Sequence, residues 1–287
     1  MTVEHKEWTI EQLKERFLRM TIKPAKGLLW HYTSIDVLEF FLKGEIAFTH
    51  YKFLNDDAEV ECGFGLLKKL AEESESEFLK DIFIKNSAFT PNGFDDTFLF
   101  CLSKDGDNLY QWRSYTPNGG VAIEFNKVEL FEALRDSIVD DDLLMKNVSR
   151  FKHASCRYTE DYARKIIKLL SVRYAKKNEV SCIGSCIEIW AFLERVLRIL
   201  LTQKNPTFSF EEEERFLLQG DLRKQVEIIA RKPRIILRNP KIANAIKSVR
   251  LSPHGDVKRN RLLVEMMRDK YGLKFDIDQS KSSYNGM

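Results

Sequence analysis

Acidic and basic residues share a short segment, residues 208–215, which reads Phe-Ser-Phe-Glu-Glu-Glu-Glu-Arg. Its spacing, F-x-x-E-x-E-x-R, puts Glu211, Glu213 and Arg215 at every second position, so a β-strand would point all three to one side. Two neighbouring carboxylates raise each other's pKa unless a cation lies between them. The segment therefore indicates either an acidic site completed by a cation or, since glutamates also suit a helix start, a solvated acidic turn.

Aromatic and polar residues form two further candidate groups. Trp-His-Tyr-Thr at residues 30–33 ends an apolar segment before a predicted helix, where His31 can donate a hydrogen bond and Tyr32 presents a ring. A satisfied histidine in the core explains the same residues equally well. Trp112 and Tyr115 are three residues apart and would share a helix face, either in the core or beside a ring-binding pocket.

Charge is distributed unevenly along the 287 residues, although the net charge is only +3. Residues 215–274 hold 16 Lys/Arg against 5 Asp/Glu, which gives +11, and the rest of the chain holds 30 against 38, which gives −8. A basic C-terminal third indicates an anionic ligand, such as nucleotide phosphates, nucleic acid or an acidic protein. The alternative is a solvated basic face.

The chemistry of the chain favours a cytoplasmic protein. No stretch approaches the roughly 20 apolar residues of a membrane helix, and residues 1–7 contain no apolar signal region, so no membrane association is expected. The cysteines form no C-x-x-C pair, and no histidine lies near Cys182 and Cys186 in the sequence, which predicts reduced thiols and no zinc site. They are Cys62, Cys101, Cys156, Cys182 and Cys186.

The order of local patterns predicts an α+β fold with a mixed, mostly antiparallel sheet. Thr9 to Gln12 is a capping box that opens a helix to about Met20, so residues 1–27 are assigned to an N-terminal helix. Residues 28–287 are predicted to form a single α+β domain, with a helical insertion at about 161–201 made of helices at 161–177 and 180–201. The predicted strands include 45–50, 243–251 and 273–277. The sequence contains no G-x-G-x-x-G or Walker A loop, which excludes those nucleotide-binding motifs.

Several short motifs together resemble a widespread bacterial family of unknown function. Each motif is weak, but their order and spacing are specific, and they run from about residue 28 to residue 284. They are H-Y-T-S (31–34), L-N-D-x-x-E (54–59), F-C-L-S (100–103), W-x-x-Y (112–115), G-V-A-I-E-F (120–125), K-x-x-x-F-x-x-E-x-E-x-R (204–215), S-P-H-G (252–255), Y-G-L (271–273) and S-x-x-x-Y (280–284).

The first strand–helix unit and the E-x-E are in turn similar to ADP-ribosyltransferases, including those that modify nucleic acids. This resemblance implies the ADP-ribosyltransferase fold for the sheet and NAD as a substrate, with no metal. It also implies catalytic roles, with Glu213 stabilising the ribose cation, Glu211 assisting the acceptor and His31 holding the ribose or the carboxamide. The residues it implies for NAD binding are His31, Tyr32, Thr33, Trp112, Tyr115 and Arg215.

Three functions therefore stand as hypotheses. The first is an NAD-dependent ADP-ribosyltransferase or NAD glycohydrolase, acting as a toxin or anti-phage effector on nucleic acid or protein and controlled by an antitoxin or regulatory protein. The second is a non-enzymatic module whose basic third binds nucleic acid or a partner. The third is a metal-dependent nuclease that uses Glu59, Glu211 and Glu213.

Overall fold

The described residues fall into two compact units. The first combines residues 1–53, 96–153 and 211–287, and the second combines residues 54–95 and 154–210. Within these ranges the computed structural model describes residues 8–54, 59–85, 97–174, 192, 195, 196 and 199–282. None of the helices in these described segments is both long enough and apolar enough to cross a bilayer.

A mostly antiparallel sheet dominates the structure, as the sequence predicts. Its strands are β1 Leu28–Thr33, β2 Glu45–His50, β3 Thr97–Ser103, β4 Val121–Asn126, β5 Val148–Ser155, β6 Glu213–Gly220, β7 Glu227–Ile229, β8 Lys232–Arg238, β9 Ile246–Leu251 and β10 Asp276–Gln279. The main path runs β10-β9-β4-β1-β3-β2-β8-β7, and β6 pairs with both β3 and β5. Only β9 and β10 run parallel among the strand pairs whose register the structure describes.

Several helices begin after a residue whose side chain caps the first turn. They are α1 Ile10–Met20, α2 Ile35–Leu42, α3 Glu59–Glu72, α4 Glu77–Lys80, α5 Leu109–Tyr115, α6 Lys127–Asp140, α7 Asp142–Asn147, α8 Asp161–Arg173, α9 Pro240–Asn244 and α10 Val257–Lys270. The predicted capping box of α1 is present, because the Gln12 amide donates to Thr9 Oγ1 and the Thr9 amide donates to Gln12 Oε1. The side chains of Asn108 and Asn126 cap α5 and α6 by accepting hydrogen bonds from backbone amides of the first turn.

One face of the sheet carries the main apolar core. Alternate residues of neighbouring strands, such as Phe48, Phe100, Phe125 and Phe216, are buried together there, with α2 and α6 packed over them. We call this side the core face and the other side the outer face. Because side chains alternate along a strand, register decides which residues each face receives.

The sheet divides along one edge of β3. There β1 is registered with β3 at Trp30 and Ser103, while β2 is registered further along at Thr49 and Leu99. The other edge of β3 pairs with β6 over its whole length. On this edge of β3, β1 and β2 therefore diverge from each other around Cys101. That part of β3 is contacted on this edge by side chains and not by a neighbouring strand's backbone.

Helices form the described part of the second unit. Its core stacks the rings of Phe78 and Tyr174 with centroids 4.8 Å apart, and Phe192 meets both rings edge-on. The predicted helix at 161–177 is α8, Asp161–Arg173. Most of the predicted helix at 180–201 lies outside the described residues, and so do Cys182 and Cys186.

Candidate functional site

A buried carboxylate–guanidinium pair opens strand β6. Arg215 Nε lies 2.7 Å from Glu213 Oε1, and Arg215 Nη2 lies 3.1 Å from Oε2, so the contact is bidentate. The exposed fractions are 6% for Glu213 and 2% for Arg215. Across β3 these residues lie opposite Ser103 and Cys101, which places both on the outer face. The cation that the sequence required beside the glutamate is therefore Arg215, two residues along the same strand.

Glu211 does not share this arrangement. A 3₁₀ helix, Pro206–Glu211, precedes the strand, and Glu212 has a φ of 44°, so the alternating pattern begins only at Glu213. The prediction that Glu211 alternates with Glu213 and Arg215 along one strand is wrong, because the left-handed residue between them breaks the extended backbone. The backbone carbonyl of Glu211 accepts a hydrogen bond from Ser103 Oγ at 2.8 Å, which fastens the turn to β3.

His31 occupies the gap where β1 leaves β3. Its Nδ1 lies 3.0 Å from the Cys101 carbonyl oxygen, and its ring packs 4.8 Å from Phe100 and 5.1 Å from Phe41. A carbonyl oxygen only accepts, so Nδ1 carries the proton. Burial lowers the pKa of His31 to about 4; the hydrogen bond to Cys101 acts against this shift, and the charge of Arg234 adds to it. His31 is thus a neutral histidine on the core face that fills the division in the sheet.

The depressed pKa of His31 predicts acid-sensitive stability. The unfolded histidine, with a pKa near 6.5, binds a proton that the folded one rejects until about pH 4. Stability from this residue is therefore complete above pH 6.5, and about 3 kcal/mol is lost as the pH falls to about 4. Urea titrations at pH 7 and pH 4.5 should show a smaller loss for His31→Gln than for wild type. Equal losses in the two proteins would contradict this account of His31.

Register separates His31 from the acidic pair. Ser103, which is opposite Glu213, is also opposite Trp30, so Trp30 shares the outer face with the carboxylate. His31 and Thr33 alternate with Trp30 and Tyr32 and therefore point to the core face. The structure brings Glu213 together with Arg215, Ser103 and Trp30, and it does not bring His31 or Thr33 to them.

Tyr32 and Trp112 contact each other on the outer face. Their rings meet edge-to-face with centroids 4.7 Å apart, in a buried cluster that also contains Trp30. Tyr32 donates its hydroxyl proton to the Asp105 carbonyl, and Trp112 Nε1 donates to Asp107 Oδ1 at 2.9 Å. These bonds fix both rings to the loop between β3 and α5. Tyr32 and Trp112 therefore hold this loop against the sheet.

The other end of α5 lies apart from this cluster. Tyr115 is 40% exposed, whereas Trp112 is fully buried, so only Trp112 of this predicted ring-binding pair belongs to the buried cluster with Tyr32. Asp107 also accepts the amide proton of Lys281 at 2.8 Å and a hydrogen bond from Ser280 Oγ. The C-terminal S-x-x-x-Y motif is therefore anchored to the loop through its serine, and its Tyr284 lies outside the described residues.

Sequence reasoning missed Glu214, the most buried carboxylate of the segment. It is 1% exposed on the core face, where Lys104 Nζ and Lys127 Nζ lie 3.1 and 3.2 Å from its oxygens and His153 Nε2 also contacts it. A strand that begins at Glu213 sends its next residue to the core, and a carboxylate there needs cationic partners. Strand alternation from Glu213 thus predicts that Glu214 points to the core and is paired with a cation.

Seven of the 16 Lys/Arg in residues 215–274 form ion pairs that the structure describes, Arg215 with Glu213 among them. Lys241 lies 2.8 Å from Asp136, Lys247 lies 2.7 Å from Glu129, and Lys270 lies 2.9 Å from Glu39. Further pairs join Arg238 to Glu45 and Glu227, Arg250 to Asp278, and Arg268 to Asp269. These pairs offset part of the positive charge of this third.

Two remaining predictions concern the second unit and metal binding. Lys204, of the long glutamate motif, is buried and lies 5.3 Å from the ring of Phe208. The part of the chain that the structure describes contains no group of three or more His, Cys, Asp or Glu suited to a metal ion. The side chain of Glu59, assigned to the nuclease hypothesis, is not among those described.

The fold and the site define an α+β protein whose outer sheet face carries a buried Glu–Arg pair. A family described as Protein of unknown function (DUF2971) matches residues 111–216, which run from α5 into β6. This match includes the W-x-x-Y, G-V-A-I-E-F and E-x-E-x-R motifs, so it confirms the resemblance to a family of unknown function over that span. No curated protein and no solved structure matches the chain.

Proposed function

We propose that the chain is an NAD-consuming enzyme, an ADP-ribosyltransferase or NAD glycohydrolase, with Glu213 as its acidic residue. The buried Glu213–Arg215 pair supports this proposal more than any other observation. Desolvation of two charges offsets much of their attraction, so apolar residues usually stabilise a core as well as a buried ion pair does. A desolvated pair at a strand end is therefore better explained by a chemical role.

The chemistry follows from the geometry of the carboxylate. When the bond between nicotinamide and ribose breaks, its electron pair leaves with nicotinamide and the ribose becomes an oxocarbenium-like cation. Glu213 supplies a fixed negative charge for that cation, while Arg215 holds both carboxylate oxygens in place. A carboxylate oxygen can accept more than one hydrogen bond, so a ribose hydroxyl can donate to Glu213. The acceptor oxygen then bonds to the ribose carbon and loses its proton to a base.

The surroundings of Glu213 change the roles drawn from sequence. Since His31 and Thr33 point to the core face, the proposal assigns them no contact with NAD. Ser103 and Trp30 lie in the same cross-strand row as Glu213 and take their place beside the ribose. Glu213 is 6% exposed, so the neighbouring side chains must move before the dinucleotide reaches it.

The acceptor and the biological setting belong to the same proposal. Nucleic acid, protein and water are the acceptors considered, and a toxin or anti-phage role in the cytoplasm, held in check by an antitoxin or regulatory protein, follows from the resemblance alone. The purely binding function is the alternative hypothesis, because residues 215–274 carry a formal net charge of +11.

Release of nicotinamide from NAD tests the proposal. The purified full chain is incubated with NAD alone, with RNA and DNA, and with cell protein depleted of nucleotides, and nicotinamide is quantified by chromatography. We expect release in at least one arm, with ADP-ribose appearing free in water or attached to the acceptor. Release that does not exceed the rate without protein in every arm would overturn the proposal.

A further inference from the structure

A second arginine of the outer face, Arg234, has no ion-pair partner among the residues that the structure describes. Arg234 on β8 lies opposite Thr49, which is opposite Leu99 on β3, so Arg234 shares its face with Arg215. The Nε of Arg234 is buried and makes no hydrogen bond. Across the described segments, its guanidinium is joined to no carboxylate. Desolvation alone lowers the pKa of Arg234, which is the expected effect of burying a cation without an anion.

The next arginine on the same side of β8 provides a direct contrast. Arg238 Nη2 lies 2.9 Å from Glu227, and its Nε lies 3.5 Å from Glu45. Glu227 is the residue registered opposite Arg234 on β7, yet its carboxylate is bound to Arg238. The acidic residue opposite Arg234 on the neighbouring strand, Glu227, is therefore already paired with Arg238.

Burying part of a cation without an anion or hydrogen bonds is costly, and a ligand anion would remove that cost. We propose that Arg234 binds a phosphate group of the ligand, with the Thr49 hydroxyl on the adjacent strand as a second donor. The planar guanidinium binds phosphate oxygens in pairs, which a lysine at this position would not do. The inference rests on the proposed function only for the identity of the ligand. If the ligand is NAD, the group that Arg234 binds is the pyrophosphate.

Matched variants of the two arginines test the inference. Binding of inorganic pyrophosphate, inorganic phosphate and NAD is measured by calorimetry for wild type, Arg234→Met and Arg238→Met. We expect Arg234→Met to weaken pyrophosphate binding by about tenfold or more, since an Arg–phosphate pair is charge-assisted and bidentate. Arg238→Met should bind as wild type does. Unchanged binding by Arg234→Met, or an equal loss in both variants, would overturn the inference.

Melting temperatures of the ligand-free proteins provide the second readout. Arg234→Met removes an uncompensated charge and should melt at or above the wild-type temperature. Arg238→Met leaves the carboxylates of Glu45 and Glu227 without their arginine and should melt at a lower temperature. A lower melting temperature for Arg234→Met than for Arg238→Met would show that Arg234 is structural and contradict the proposal.

The anion site and the NAD chemistry can fail separately. Pyrophosphate binding that depends on Arg234, in a protein that releases no nicotinamide, would uphold the anion site and reject the proposed enzyme. Nicotinamide release, together with pyrophosphate binding that does not depend on Arg234, would uphold the proposed enzyme and reject the anion site.

Discussion

Glu213→Gln should lower the free energy of unfolding by about 3–5 kcal/mol, because Arg215 would remain buried without its counter-ion. The same change should slow nicotinamide release by about 10²-fold or more, the scale typical of losing a preorganised electrostatic partner of the transition state. Urea denaturation gives the first quantity, and initial rates at saturating NAD give the second. A loss of stability alone would not separate a catalytic residue from a structural one.

A double variant makes that separation. Glu213→Gln combined with Arg215→Met leaves no buried charge in the pair, so most of the lost stability should return while the rate stays low. If the single variant is as stable as wild type, the ion pair contributes nothing to the fold. If the double variant releases nicotinamide at the wild-type rate, Glu213 does not act on the ribose.

Glu214→Gln should lower the free energy of unfolding by a similar amount, about 3–5 kcal/mol. In this variant the lost contacts lie on the core face of the same strand. Lys127 and His153 are largely buried and would lose the carboxylate they contact, whereas Lys104 is half exposed and can turn to water. Glu212→Gln is the matched control, because Glu212 is exposed and its change should stay within about 0.5 kcal/mol.

Chemical denaturation of these two variants in parallel checks the prediction. Nicotinamide release by folded Glu214→Gln, measured well below its melting temperature, should stay close to the wild-type rate. Equal stability of Glu214→Gln and Glu212→Gln would show that the cations do not depend on Glu214. A rate loss as large as that of Glu213→Gln would move the chemistry to the core face.

Local signals in the sequence predicted the elements that local chemistry determines. The capping box at Thr9 gave α1 with its correct end at Met20, and the predicted strand at 45–50 is β2. Caps and alternating apolar residues act over a few positions, so a single sequence contains enough information for them.

Elements that depend on tertiary contacts were placed less well. Strand β8, Lys232–Arg238, was not predicted, because the hairpin before it turns on Ala230 and Arg231 with φ of 51° and 62°. Such turns usually use Gly or Asn, so these residues gave no turn signal. The predicted strand at 243–251 begins as α9 and becomes β9 only at Ile246. The predicted strand at 273–277 is β10, Asp276–Gln279.

The site itself was predicted in part. Glu213 and Arg215 lie on one strand face because they are two residues apart, which the sequence states directly. The face that receives His31 depends on how β1 is registered against β3 and β4, and no residue of β1 encodes that pairing locally. The backbone of Glu212 likewise changes the course of the chain at a residue type that seldom adopts positive φ.

A structure of the full chain with a non-cleavable NAD analogue tests the central claim most directly. The account predicts a ribose hydroxyl of the nicotinamide side within hydrogen-bond distance of a Glu213 carboxylate oxygen, on the outer face beside Ser103 and Trp30. An analogue bound on the core face, or one bound with Glu213 still sealed against Arg215 and out of reach, would contradict it.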